Sequence, residues 1–435
     1  MKYTVIGITD APTPYFPPEV QAVIQKGRLF SGGRRHHDIV AHLLPPDAQW
    51  IDITAPLDAV FEQYHNAASV IVFASGDPLF FGFASTIRRR EPDADIVVYP
   101  TFNSLQMLAH RLLMPYHDMR IISLTGRPWP ELDRALIERT PKIGILTDHE
   151  HTPAAIACRL LDYGYNHYTM HVGEHLGNPT LERVTTLPLA EAATASFASP
   201  NCVILAAVTR GAATMAAPPF GLPDASFALL DGREKMITKM PVRLLTLQAL
   251  DLPSRHTLWD IGFCTGSVSI EARLLFPHLR IDAFEVRPEC EAIISENARR
   301  HGAPGINVHI GDFLAADIPS VAPSVPAVSS PVAPGVPAAC SPIAPGVPAA
   351  CSPVPLCGNS VAAPDAVFIG GHGGRLKDIL AKVLRFLAPG GVIVMNSVKA
   401  PKVLTDSHQL WDEACRDSAC TRSRPCASSS TIITP

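Results

Sequence analysis

Short apolar runs recur along the first half of the chain, separated by stretches of helical character. Tyr3–Ile8, Ser69–Ala74, Asp95–Tyr99, Arg120–Ser123, Lys142–Leu146 and Cys202–Ala206 read as strands, being brief, rich in Val and Ile and bounded by breakers. Arg210–Pro223, rich in Ala, Pro and Gly, reads as a linker. A second alternation begins at Leu230, with strands expected at Thr257–Asp260, Ile281–Val286, Ile306–Ile310, Ala366–Ile369 and Val392–Met395. Leu376, Ile379, Leu380, Val383, Leu384 and Leu387 follow at three- and four-residue spacing. That period predicts an amphipathic helix with one buried face, and Pro389-Gly390-Gly391 stops it. Strands alternating with helices predict a parallel sheet covered on both sides.

At 435 residues the chain exceeds one compact core. The pattern divides it into domains at 1–209 and 224–416, joined by a linker at 210–223. Two stretches break the alternation. From Ser320 to Val361 the chain is rich in Pro, Ala, Val and Ser, and an 11-residue unit, Ser330 to Cys340, returns almost unchanged as Ser341 to Cys351. Frequent proline removes backbone donors and nothing larger than Val or Leu is present to build a core, so the segment 320–361 reads as a disordered insertion in a surface loop. Lys402–Arg416 has helical spacing, but the tail 417–435 shows no strand pattern. Codons compatible with Cys420–Pro435, read one base earlier, permit a strand-like Leu-Arg-Ile-Gln-Leu. A frameshifted tail that leaves a sheet edge open is therefore the expectation there.

Composition narrows the function classes. Apolar residues are 47% and charged residues 17%, with a formal charge of −4, a soluble globular balance that argues against a nucleic-acid binder. No apolar run approaches the roughly 18 residues of a membrane span, and Met1-Lys2-Tyr3 opens without signal-peptide anatomy, so the reading is cytoplasmic. Of the 10 cysteines, Cys340, Cys351, Cys357, Cys420 and Cys426 lie in the two unusual stretches and Cys415 just before the second. Cys158, Cys202, Cys264 and Cys290 lack metal-ligand spacing, so neither a metal site nor a disulfide framework is expected.

The second domain carries Asp260-Ile261-Gly262-Phe263-Cys264-Thr265-Gly266 between a strand and a helix. Glycines permit close approach of a ligand, and the helix start offers free N–H groups. A nicotinamide-type G-x-G-x-x-G needs glycine where Cys264 and Ser267 stand. With Glu285 ending the next strand and Gly311-Asp312-Phe313 after the third, the order fits S-adenosylmethionine better. Glu285 would accept both ribose hydroxyls, and the turn after the third strand would meet adenine. These stretches, with Met236-Ile237-Thr238-Lys239, Phe368–Gly374 and Asn396-Ser397-Val398, resemble the decarboxylating, carbon-15-methylating half of the cobalamin-pathway methyltransferases that modify precorrin-6Y. The resemblance implies a Rossmann-like class I methyltransferase fold. It implies a donor pocket lined by Thr238, Asp260, Gly262, Phe263, Cys264, Thr265, Gly266, Glu285, Asp312 and Phe313. It turns Gly371, His372 and Gly373 toward a tetrapyrrole; His372 is either an acid or base there or a satisfied loop histidine.

In the first domain Ala74-Ser75-Gly76-Asp77-Pro78-Leu79-Phe80-Phe81-Gly82 follows a strand. It stands with Phe30–His36, Pro100–Gln106, Ser123–Arg127 and Val172–Gly177. Together they resemble the tetrapyrrole methylase family, in its carbon-5-methylating form. The implied fold is two α/β lobes with the donor between them, contacted by Gly76, Asp77, Phe80, Phe102, Ser104, Thr125 and Glu174. Gly7-Ile8-Thr9-Asp10-Ala11-Pro12 departs from the family's glycine-rich first loop. Arg34, Arg35, His36 and Arg127 are candidates for the carboxylates of a corrinoid substrate, the other reading being a solvated basic turn. Arg88-Arg89-Arg90 reads as a solvated helix face. The whole is expected to be an α/β, two-domain methyltransferase and decarboxylase. It needs no dedicated nucleophile, because an electron-rich macrocycle carbon attacks the sulfonium methyl directly. Another tetrapyrrole methylase, or a donor-binding but impaired protein, is the alternative, and a homo-oligomer is left open.

Overall fold

The structure is a computed structural model that describes residues 1–208, 220–318, 361–396 and 430–433. Three sheets organise it. In the first, β1 (Lys2–Ile8), β2 (Leu29–Gly32), β3 (Gln49–Asp52), β4 (Ser69–Ser75) and β5 (Asp95–Tyr99) lie in the order β3-β2-β4-β1-β5. All its pairings are parallel. Helices cover both faces, so the central strands β1 and β4 are apolar along nearly their whole length.

The second sheet departs from simple alternation. Its strands are β6 (Arg120–Ser123), β7 (Lys142–Leu146), β8 (Tyr168–Glu174), β9 (Arg183–Pro188) and β10 (Asn201–Ala207), ordered β6-β7-β10-β8-β9. Only β6 and β7 run parallel; the other neighbours are antiparallel. The expected strands missed β8 and β9, which follow each other without an intervening helix. Their signal is alternation, with Tyr168, Met170 and Val172 turned into the core. The strands β2, Leu29-Phe30-Ser31-Gly32, and β3, Gln49-Trp50-Ile51-Asp52, are also missed: the first has no β-branched residue and the second only one, so neither stands out.

The third sheet contains β11 (Thr257–Ile261), β12 (Arg280–Glu285), β13 (Ile306–Ile310), β14 (Ala366–Ile369), β15 (Val392–Asn396) and β16 (Ser430–Ile433). Their order is β13-β12-β11-β14-β15-β16, parallel except for the last pair. Strand order therefore reverses between β11 and β14, where the loops leave a crevice at the carboxyl ends. The helix expected at 376–387 spans Leu376–Phe386 and buries Leu376, Ile379, Leu380 and Val383.

One expectation is corrected. The tail is not without a strand: β16 pairs antiparallel with β15, from Ile393↔Ile433 to Asn396↔Ser430. The edge of β15 is thus covered rather than open. The rest of the tail, the codon argument, the helix at 402–416, residues 397 and 398, the insertion at 320–360 and residues 210–219 of the linker lie outside the described residues. On either side of the insertion, Ile318 and Val361 are buried in one cluster with Trp259 and Val367.

Residues leading into the third sheet are tied down by Arg243, which is fully buried. Its Nε donates to Glu271 Oε2 at 2.5 Å, its Nη1 to the Thr238 carbonyl at 2.7 Å, and its Nη2 to the Leu222 carbonyl. Glu271 Oε1 in turn accepts from the Leu222 N–H at 3.1 Å. A buried ion pair whose remaining donors are all satisfied specifies one backbone path. Here that path carries Thr238 beside the helix Ser267–Leu275.

The two halves share a surface. On the helix Pro130–Ile137, Leu132, Ala135 and Leu136 face their own lobe. Ile137 packs instead with Leu222, Phe227, Ile237, Ile270, Leu274, Ala298 and Ala303. The Tyr165 hydroxyl donates to the Gly302 carbonyl at 2.6 Å. Buried Asp133 takes two bonds of 2.7 Å from Arg159. A Cβ on Gly305 would stand 2.8 Å from Asp133 Oδ2 and 2.9 Å from Arg273 Nη2, so the facing half brings a second guanidinium close. A chain cut at a protease site inserted between residues 208 and 220 is therefore expected to elute as one particle. Ile137→Asp, which puts an unpaired carboxylate in this cluster at a cost of roughly 3–5 kcal/mol, should release the pieces on size exclusion. Separation of the cut parent chain would mean that the surface does not hold them.

Candidate functional site

β11 delivers Asp260 to the crevice, and the chain then turns through Gly262–Gly266 into the helix Ser267–Leu275. Gly262 has φ +79°, and a Cβ there would lie 2.7 Å from the backbone nitrogen of Gly371, in the loop after β14. Gly266 has φ +72°, and its Cβ would strike Ile294 at 2.3 Å. Both positions need glycine on conformation and on space. Cys264 also has φ +49°, a strained choice for a residue with a Cβ. Burial pushes its thiol up, which keeps it protonated.

Asp260 is 1% exposed. Burial, with the Glu285 charge adding to it and hydrogen bonds from Ser269 opposing, pushes its carboxyl up to about 7. The Ser269 hydroxyl donates to Oδ2 at 2.6 Å, while Oδ1 has no partner. Thr265 Oγ1 is likewise buried and unpartnered. Native interiors rarely leave such atoms unmatched. Two of them in one glycine turn fit a polar molecule such as S-adenosylmethionine, whose ammonium and hydroxyls would supply donors.

Glu285, at the end of β12, is 4% exposed and fully engaged. Its Oε2 accepts from the Cys264 N–H at 3.0 Å and Arg287 Nη2 at 2.7 Å. Its Oε1 accepts from the Val286 N–H, the Arg287 N–H and Arg287 Nε at 2.9, 3.2 and 3.0 Å. Asp312 is paired twice with Arg375, at 2.7 and 3.0 Å. Phe313 is turned inward against Trp259 and Phe284, with ring centroids 5.8 and 5.1 Å apart, and serves the core. Phe263 is buried beside Ala283 and Ile294. Thr238 is half-buried near the entry segment. Gly371, His372 and Gly373 form an exposed loop; the His372 ring accepts from the Gly374 N–H at 3.2 Å through Nδ1.

In the first half the ends of β1, β4 and β5 converge through glycine. A Cβ on Gly7 would lie 2.0 Å from the Gly76 carbonyl oxygen, and one on Gly76, at φ +61°, 2.8 Å from Asn103 Cα. Asp77 closes its own turn by accepting from the Leu79 N–H at 2.9 Å. Phe80 leans on the second lobe beside Leu105 and Leu108, while Phe102 is 56% exposed against His110. Ser104 begins the helix Ser104–Arg111. The Thr125 hydroxyl donates to the Thr147 carbonyl at 3.0 Å, and buried Glu174 accepts from the Ala198 N–H, so both serve loop structure. Arg127 stacks over Phe81 at 4.9 Å with its Nε buried and unpartnered. Arg34 is exposed, as are Arg88, Arg89 and Arg90.

Arg35 and His36 do not stand free. Arg35 pairs with Asp10 and reaches Ser75 Oγ at 3.0 Å. His36 Nε2 lies 2.8 Å from the same hydroxyl, and its Nδ1 accepts from the Gly33 N–H at 3.3 Å. Burial, with Arg35 adding to it, pushes the His36 imidazole down to about 4, so it is neutral at pH 7. The other oxygen of Asp10 lies 2.8 Å from His175 Nδ1, across from the second lobe. This chain of Asp10, Ser75 and His175 is missing from the sequence-derived candidates, because its members lie far apart in the chain. The Asp10 substitution in the first loop is the one local signal.

Residues 5–193 match the family described as Tetrapyrrole (Corrin/Porphyrin) Methylases, and residues 231–324 match the Precorrin methyltransferase domain. A Sinorhizobium sp. protein named Precorrin-6Y C(5,15)-methyltransferase (decarboxylating) is 32% identical, over 93% of this chain and 87% of its own. A Salmonella typhi Cobalt-precorrin-6B C(15)-methyltransferase (decarboxylating) is 30% identical over 43% of this chain and 76% of its own. A Salmonella typhimurium Cobalt-precorrin-7 C(5)-methyltransferase is 26% identical over 43% of this chain and 90% of its own. Among the described residues no helix is long and apolar enough to cross a membrane.

The raised carboxyl of Asp260 has a measurable consequence. Its folded value near 7 stands above the ordinary 3.8, so the native state keeps a proton that the unfolded chain has lost. Stability from this group is therefore present below about pH 4, falls as pH rises, and levels off above about 7, at up to roughly 1.4 kcal/mol per unit. Asp260→Asn should remove that slope. Urea unfolding at a series of pH values should show the variant gaining on the parent between those limits; a constant difference would contradict it.

Proposed function

The chain belongs to the precorrin-6Y C(5,15)-methyltransferase (decarboxylating) family, and from that premise we propose how its two halves divide the work. The enzyme methylates a precorrin-6Y-type corrinoid precursor at carbons 5 and 15 and removes carbon dioxide from the ring C acetate, in cobalamin biosynthesis. In our reading S-adenosylmethionine is the donor in both halves. The first half methylates carbon 5, and the second methylates carbon 15 and decarboxylates. The observation that carries this division is the presence of two unlike glycine cradles, Gly7 with Gly76 and Gly262 with Gly371, each at the carboxyl edge of its own parallel sheet. The same two reactions name two separate relatives, each matching less than half of the chain.

When bound, the donor supplies a methyl group on a positively charged sulfur. The protein contributes placement and exclusion of water. In the second half the Gly262–Gly266 turn and Asp260 hold the donor, and the Gly371–Gly373 loop faces the substrate. In the first half Gly76 and Asp77 shape the donor seat, and Arg34 and Arg127 meet substrate carboxylates. Methylating a carbon that bears hydrogen frees a proton, and the Asp10–His175 pair stands between the lobes to take it. In our reading the enzyme works in the cytoplasm, where thiols such as those of Cys202, Cys264 and Cys290 stay reduced.

Anaerobic incubation with the reduced precorrin and S-adenosylmethionine, read by mass spectrometry, should show two methyls gained and one carbon dioxide lost. Gly262→Val should abolish carbon-15 methylation and decarboxylation, and Gly76→Val carbon-5 methylation. Mixing the two variants should restore all three events. A mixture that stays deficient while both variants keep their folded circular dichroism would refute the division.

A further inference from the structure

We propose that Arg287 is a latch on the donor seat of the second half. It neutralises Glu285 while the donor is absent and leaves when ribose hydroxyls take its place. The inference rests on the reading of the Gly262–Gly266 turn as a donor seat.

An ionised carboxylate has about four lone-pair positions. Five donors already compete for those of Glu285: three backbone N–H groups, from Cys264, Val286 and Arg287, and two from the Arg287 guanidinium. No capacity remains for a diol. The backbone bonds belong to the turn and to the end of β12, so they stay. The two guanidinium bonds are the replaceable ones, and they grip the carboxylate as a bidentate fork, the geometry in which two vicinal hydroxyls would replace them.

Why such a group is needed follows from burial. Glu285 is nearly closed to solvent, and burial works against its charge. The Arg287 guanidinium and the backbone N–H groups outweigh that and hold it below the usual carboxylate range. A buried carboxylate without a partner is costly, so a donor-free seat requires a counter-ion. Arg287 can also leave. Its side chain is 34% exposed, and neighbouring Val286 is exposed; beyond Glu285 it meets the Met236 sulfur at a long 3.9 Å and the thiol of Cys264, both weak acceptors. Asp312, the other acidic residue implied for the donor, is closed in the same manner by Arg375.

The sign of the effect separates a latch from a ligand contact. S-adenosylhomocysteine titrated calorimetrically into the full chain should bind as two molecules. Arg287→Ala should tighten one of them roughly fivefold and leave the other unchanged, because a competing ion pair of modest strength is gone. Arg287→Lys, which keeps the charge without the fork, should tighten it less. Weaker or unchanged binding in Arg287→Ala would overturn the latch. If Glu285→Ala still binds two molecules with parental affinity, the donor-seat reading itself fails, and the latch with it.

Discussion

Both sites are made by backbone touching backbone. Where Gly7 meets Gly76, and where Gly262 meets Gly371, there is no room for even a methyl group, since a Cβ would stand 2.0 and 2.7 Å from the facing atoms. In both sites the close approach is between the ends of neighbouring parallel strands. Gly7 lies in β1 and Gly76 follows its neighbour β4, while Gly262 and Gly371 follow the paired strands β11 and β14.

Around these contacts the molecule manages buried charge. Arg243 with Glu271 fastens the segment that carries Thr238, and Arg159 with Asp133 stands at the surface between the halves. Glu285 and Asp260 differ: one is over-supplied with donors and the other lacks one. Asymmetry of that kind at a sheet edge is what a site looks like when part of its polar complement comes from a small molecule.

Much of the architecture is legible in the chain itself. The six strands of the first half read from apolar runs are all present, as are the five parallel strands of the third sheet and the helix at Leu376–Phe386. Parallel strands buried on both faces are nearly continuous in Val and Ile, and that signal is local. The strands β2 and β3 carry one β-branched residue between them and do not declare themselves. β8 and β9 lie in a sheet whose antiparallel pairing depends on distant β10. β16 lies in a Ser- and Thr-rich tail, and pairing with β15 makes it a strand.

The glycine turns, the acidic residues after β12 and β13 and the basic stretch at 34–36 are likewise written in the order of residues, and so is the family they point to. What each of those side chains does was decided elsewhere. Glu285 is engaged because Arg287 folds back on it, Asp312 because Arg375 arrives from 63 residues away, and Phe313 because Trp259 and Phe284 offer it a core. Asp10 meets His175 across two lobes. Backbone conformation is set by neighbours in the chain and can be read from them. Partners of a buried polar group are set by which surfaces come together, and only the packed molecule specifies that.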